Sequence, residues 1–213
     1  GFDVGLGTIN IDVSGVNQDP SNIGTLPTDV SIVEDVLSTI DLSGIDLADV
    51  DLGSGDLTVT LNVASGTLSA AAVAGITIGG DGTDVLTLTG NLTDLNSYLD
   101  SATNLSVLGA LNLFGDDADS ITITVNDGGN TGTGGGTDVS LGTVNLDIAE
   151  VNDDPLNAGS LPTDVSIVED VLSTIDLSSI NLADVDAGTG DLTVTLNATT
   201  GTLSAAAVAG ITI

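Results

Sequence analysis

Leu57-Thr58-Val59-Thr60-Leu61-Asn62-Val63 carries the fold class of this chain. Apolar and polar side chains alternate strictly over the seven positions, which is the pattern of a strand with one face in a core and the other toward water. The same period recurs in Val30-Ser31-Ile32, Thr67-Leu68-Ser69, Ile76-Thr77-Ile78, Leu86-Thr87-Leu88-Thr89 and Ile121-Thr122-Ile123-Thr124-Val125. A further apolar segment covers Val36 to Leu47, and Val139, Leu141, Val144, Leu146 and Ile148 close the series. The phase of that last run slips at Gly142, predicting a bulge. Leu92, Leu95 and Leu99 instead fall at helical spacing behind Asn91 or Thr93 as N-cap, which predicts one short helix. About seven short strands and one helix read as an antiparallel β-sandwich, all-β in class.

The chain then repeats. Residues 1–78 align without a gap on 136–213, with 60 of the 78 positions identical and Pro20 falling on Pro155, a period of 135. Thr28 to Ser43 recurs unchanged as Thr163 to Ser178. That period is too long for a solenoid rung and suits an autonomous domain. Boundaries placed at the linkers Val16-Asn17-Gln18-Asp19-Pro20 and Val151-Asn152-Asp153-Asp154-Pro155 divide the chain into three parts. Residues 1–19 are the last strand of a preceding repeat plus linker, 20–154 a complete repeat, and 155–213 the first part of the next. The expectation is an excerpt from a longer tandem array.

Composition narrows the chemistry. Among 213 residues there are 31 Asp or Glu and no Lys, Arg, His, Cys, Met or Trp, for a formal charge of -31. Hydroxyl–imidazole and thiolate nucleophiles, Schiff bases and imidazole or thiolate zinc sites are therefore excluded. Without cations the chain has no grip on a phosphate backbone, so nucleic acid is not an expected partner. At 41% hydrophobic residues it is not a disordered acidic tail. No apolar stretch approaches the roughly 18 residues of a membrane span. Carboxylate pairs without aromatic sugar platforms beyond Tyr98 and Phe114 do not suggest a glycosidase, and no enzymatic activity is expected.

The acids collect between strands. Glu34 and Asp35 lie between the first two. Asp46, Asp49, Asp51 and Asp56 follow the second, repeated as Asn181, Asp184, Asp186 and Asp191. Asp116, Asp117 and Asp119 precede the sixth strand, Asn126 and Asp127 end it, and Asn152, Asp153 and Asp154 form a linker. Grouped carboxylates with no basic residue to compensate them call for a hard divalent cation, and Ca2+ takes six to eight oxygens in flexible geometry. In a seven-strand sandwich the loops after strands two and six share the pole where the chain enters, and those after strands one and five the opposite pole. Acids from neighbouring repeats then converge on each linker. At the complete junction these are Glu34, Asp35 and Asp116 to Asp119, then Asn152 to Asp154, then Asp184, Asp186 and Asp191. Solubilising loop aspartates are the alternative explanation. Gly79-Gly80-Asp81-Gly82-Thr83-Asp84-Val85-Leu86-Thr87 fits a calcium β-roll nonapeptide but occurs once, and reads as a hairpin turn.

Val33-Glu34-Asp35, Leu47-Ala48-Asp49-Val50-Asp51, Gly80-Asp81-Gly82-Thr83, Leu92-Thr93-Asp94-Leu95-Asn96, Ile121 to Gly129 and the Val-Asn-Asp-Asp-Pro linker together resemble the tandem cadherin-like, immunoglobulin-like repeats of giant bacterial surface adhesins. The resemblance implies an extracellular β-sandwich at the cell surface, rigidified by calcium at its junctions, with neighbouring repeats as its partners. The function expected is a non-catalytic stalk module for adhesion or biofilm. A filament, sheath or matrix fibre assembled from like chains is the alternative, and recognition of a glycan or protein by the loop Gly128 to Gly136 a third. Gln18 against Asp153, and Asn181 against Asp46, keep an oxygen but change the charge at equivalent positions.

Overall fold

The computed structural model describes residues 1–213, which form two compact units, Gly1–Val151 and Asn152–Ile213. In the first unit the strands are β1 (Ser21–Asn22), β2 (Asp29–Val33), β3 (Ser38–Ile40), β4 (Leu47–Ala48), β5 (Asp56–Val63), β6 (Thr67–Ala70), β7 (Thr77–Gly79) and β8 (Val85–Asn91). Helix α1 (Leu92–Leu99) follows, then β9 (Leu105–Leu108), β10 (Gly115–Asn126) and β11 (Val139–Ala149). They make a six-stranded sheet in the order β2-β11-β10-β5-β8-β7, a three-stranded sheet β3-β9-β6, and the small ladder β1-β4.

The alternation that predicts β5 is the alternation of its burial: Leu57, Val59, Leu61 and Val63 are buried, while the polar residues between them are exposed or half-buried. β5 sits between β8 and β10, and Leu61 pairs with Leu86 on one side and Ile123 on the other. Ile40, Leu68, Leu105 and Val107 of the smaller sheet join the same hydrophobic cluster, so the two sheets share one core, as in a sandwich. Gly142, at φ 135°, marks the register shift opposite Ile123 and Thr124. The Gly80–Asp84 turn joins β7 and β8 as a hairpin, and also bonds back to Leu68 of the smaller sheet.

Three features differ from the expected pattern. Among the strand ladders one pair, β2 with β11, is parallel and the others are antiparallel. β9 carries only two inward residues, Leu105 and Val107, too short a run to stand out in sequence. The acidic stretch from Asp116 to Asp119 lies inside β10 rather than ahead of it, accommodated by a bulge between Gly115 and Asp119.

The helix locks the loop that follows β4. Asn91 caps α1, its Oδ1 accepting the Asp94 N–H at 3.0 Å, and Leu95, Tyr98 and Leu99 enter the core. Asn96 then binds the Leu47 backbone as a strand would, accepting its N–H at 2.9 Å and donating to its carbonyl at 3.0 Å. With Leu47 and Leu52 buried on either side, the loop carrying Asp49 and Asp51 is held at both ends.

In the second unit only β12 (Leu156–Asn157) and β13 (Leu182–Ala183) are strands. By the 135-residue repeat, this unit aligns with residues 17–78 and holds no counterpart of β8 to β11. Its apolar residues are exposed: Ile167 at 65% where Ile32 is at 2%. Residues 1–14, aligned on 136–149, likewise form no strand, and Ile9, Ile11 and Val13 are exposed.

Candidate metal centres

At the pole where the chain enters the first sandwich, the linker is fastened by acids. Asp49 Oδ1 accepts the N–H groups of Asp51 and Leu52, at 3.0 and 2.9 Å, closing a tight turn. Asp51 accepts the Gln18 N–H, at 3.0 Å through Oδ2. Asn17, 8% exposed, donates through Nδ2 to Asp127 Oδ2 at 2.6 Å. Asp127, 2% exposed, also accepts the Gly129 N–H at 2.9 Å. Burial raises its carboxyl, but the Gly129 N–H, the Asn17 amide and the Gly136 N–H outweigh it and hold the group below its ordinary value.

Oxygens are left over. Asn17 Oδ1, Asp49 Oδ2, Glu34 Oε2 and Thr131 Oγ1 are buried and have no hydrogen-bond partner. Buried acceptors are normally satisfied, and leaving one unmade costs about 1–3 kcal/mol. No lysine, arginine or histidine exists in the chain to answer them. Glu34, 1% exposed, lies at the end of β2, with Oε1 accepting the Val151 N–H at 2.7 Å. Unpartnered oxygens of this kind are the atoms a hard cation takes.

The second unit builds part of the arrangement again. Asp184 Oδ1 accepts the Asp186 and Ala187 N–H groups, and Asp186 Oδ2 accepts the Asp153 N–H at 2.7 Å, matching Asp49, Asp51 and Gln18. The two carboxyls interact directly: the Asp186 side chain raises Asp184, whereas hydrogen bonds from Asp184 and the Asp153 N–H lower Asp186.

A separate group lies on the outer face of the large sheet. Asp29, Asp117 and Asp147 each bring a carboxylate oxygen within 4.8 Å of the others, and the group could hold a metal ion. Asp117, at φ 51°, donates its N–H to Asp147 Oδ1 at 3.0 Å. Asp116 is raised, first by the charge of Asp147 and then by that of Asp117.

Among the remaining sequence-predicted residues, Asp119 is engaged inside the protein, accepting the N–H and O–H of Ser65. Asn126, the last residue of β10, accepts the Gly128 N–H at 2.6 Å and donates to Asp138. Asp35 takes the left-handed turn position after Glu34, at φ 57°. Asp56 offers its backbone carbonyl to Asn130, and Asn152, Asp154 and Asp191 are exposed. The sequence pattern missed Asp29 and Asp147. Each occupies an outward position on its strand, and only the parallel pairing of β2 with β11 makes them neighbours.

Comparison with family models, with curated proteins and with solved structures finds no match. No helix is long and apolar enough to cross a membrane.

The outer-face group sets a pH dependence. A carboxyl raised on folding contributes stability below its unfolded value and loses it as pH climbs through the folded one. In chelator, Asp147→Asn, which keeps the acceptor for Asp117, is expected to melt higher than the parent at pH 7. The gain should vanish in acid below the ordinary Asp value of 3.8. Thermal melts by circular dichroism at both pH values check this; a variant that melts lower at pH 7 contradicts it.

Proposed function

We propose that this chain is a non-catalytic, calcium-rigidified stalk segment of an extracellular repeat protein serving cell-surface adhesion or biofilm. The observation that carries the proposal is the set of buried, donorless oxygens where the linker meets the sandwich, in a chain without a single basic side chain. Asn17, Asp49, Asp51 and Asp127 would hold the ion at the incoming pole, and Glu34 would contribute at the other. The ion supplies the positive charge that the sequence lacks and ties the linker to the sandwich, removing its freedom to bend. Recurrence of the Asp49–Asp51 arrangement at Asp184–Asp186 supports one such site per repeat.

Extracellular calcium modules bind at roughly 10⁻⁴ to 10⁻³ M, so a segment of this kind is flexible inside a cell and stiff outside it. X-ray scattering from tandem arrays of the 135-residue repeat tests the mechanism. The maximum dimension should grow in calcium and shrink in chelator; arrays of unchanged dimension overturn it.

A further inference from the structure

The glycine-rich loop after β10 lies along the linker. Gly128, Gly129, Gly132, Gly134, Gly135 and Gly136 all have positive φ, from 68° to 88°. Thr133 donates its N–H to the Gly15 carbonyl at 3.1 Å and accepts the Asn17 N–H at 3.3 Å, while Val16 and Thr133 form a parallel bridge. The approach is backbone to backbone: a Cβ on Gly132 would stand 2.7 Å from Asn17 N and 2.8 Å from Val16 C, and one on Gly135 would overlap the Asn17 amide. Asn130 ties the loop to the sandwich through the Asp56 carbonyl at 3.0 Å. Asp127, the residue that begins the loop, is the one that grips Asn17.

We infer that the loop Gly128–Gly136 is a clasp whose closure over Gly15–Gln18 is coupled to cation binding at the Asn17–Asp127 pair. The inference rests on calcium binding at this pole and adds its regulation. Glycine loses more conformational freedom on ordering than any other residue, so a loop with six of them resists closing. Closure also buries the Asn17 carboxamide, 8% exposed, with Oδ1 unpartnered beside the Asp127 carboxylate. A cation that answers this oxygen binds the closed form better than the open one, and differential affinity shifts the equilibrium toward closure. By reciprocity, whatever opens the clasp weakens the ion.

The test measures calcium affinity by calorimetry on the full 213-residue chain, and amide hydrogen exchange over residues 15–18 and 128–136 in calcium and in chelator. In the parent, calcium is expected to slow exchange in both segments together. Gly135→Ala, which collides with Asn17, should weaken calcium at least tenfold and abolish that protection. Gly134→Ala is the control: its φ is equally strained at 88°, but a Cβ there meets nothing within 4 Å, so its affinity should stay within threefold of the parent. Gly132→Ala, whose Cβ would meet the Val16–Asn17 backbone, opens the clasp with the Asn17 and Asp127 oxygens intact, and should match Gly135→Ala; it decides the matter alone if Gly135→Ala does not fold. A Gly135→Ala chain that folds and binds calcium like the parent overturns the clasp and leaves calcium binding standing, as does loop exchange indifferent to calcium. A parent that binds no calcium overturns both.

Discussion

Moving the chain from chelator into about 10 mM calcium should raise the thermal midpoint of the first sandwich by about 5–10 °C. At dissociation constants of roughly 10⁻⁴ to 10⁻³ M, that concentration stabilises a single site by about 1.4–2.7 kcal/mol through mass action. A domain of this size shifts by about 3–5 °C for each kcal/mol. Magnesium at equal concentration should do less, because it demands octahedral geometry and gives up its water reluctantly. Asp127→Asn, which keeps an acceptor for Asn17 but removes the charge, should lose most of the calcium-dependent shift. The shift should also fade as pH drops into the ordinary carboxylate range near pH 4, since ligands must be deprotonated to bind. Asp127 reinforces the sign: a carboxyl lowered on folding contributes stability above its unfolded value and loses it as pH falls through the folded one. Melting curves that superimpose in calcium and chelator would remove the basis for a calcium-dependent stalk.

The second large effect compares two leucines in identical local sequence. Leu61 and Leu196 both sit in Leu-Thr-Val-Thr-Leu-Asn, yet Leu61 is 0% exposed and Leu196 56%. Leu61→Ala removes a side chain packed between β8 and β10 and leaves a cavity, at a cost of about 2–5 kcal/mol. Leu196→Ala removes one that already faces solvent, and its effect in this chain should stay within about 0.5 kcal/mol. Urea unfolding of the two variants beside the parent measures both. Equal losses would mean that the second unit packs its apolar residues as the first does.

Much of the sandwich was legible because its strands are regular. β5, β8 and the inner half of β10 announce themselves by period two, α1 by leucines at helical spacing behind Asn91, and the β11 bulge by the slip at Gly142. β9 escaped because two inward residues make too short a pattern. The start of β10 escaped because its residues are acidic and bulged. At the incoming pole, the linker, the Asp49–Asp51 turn and Asp127 are visible as loop aspartates, while Asn17 draws its importance from burial. Asp29 and Asp147 could not be paired from sequence at all: 118 positions separate them, and a parallel register brings them together.

The repeat divides local from tertiary causes. Thr28 to Ser43 and Thr163 to Ser178 are the same sixteen residues. Both copies form the same turns: Ser38 and Ser173 each accept an N–H five residues back, Asp41 and Asp176 each accept one two residues on, and Asp35 and Asp170 both take positive φ. Those bonds close within a few residues, so sequence alone determines them. Only the first copy contains β2 and β3, because β11 and β9 are there to pair with them. A strand's backbone groups and apolar face are satisfied by distant neighbours, so the sheet, the core and the buried oxygens of the linker pole belong to the tertiary structure.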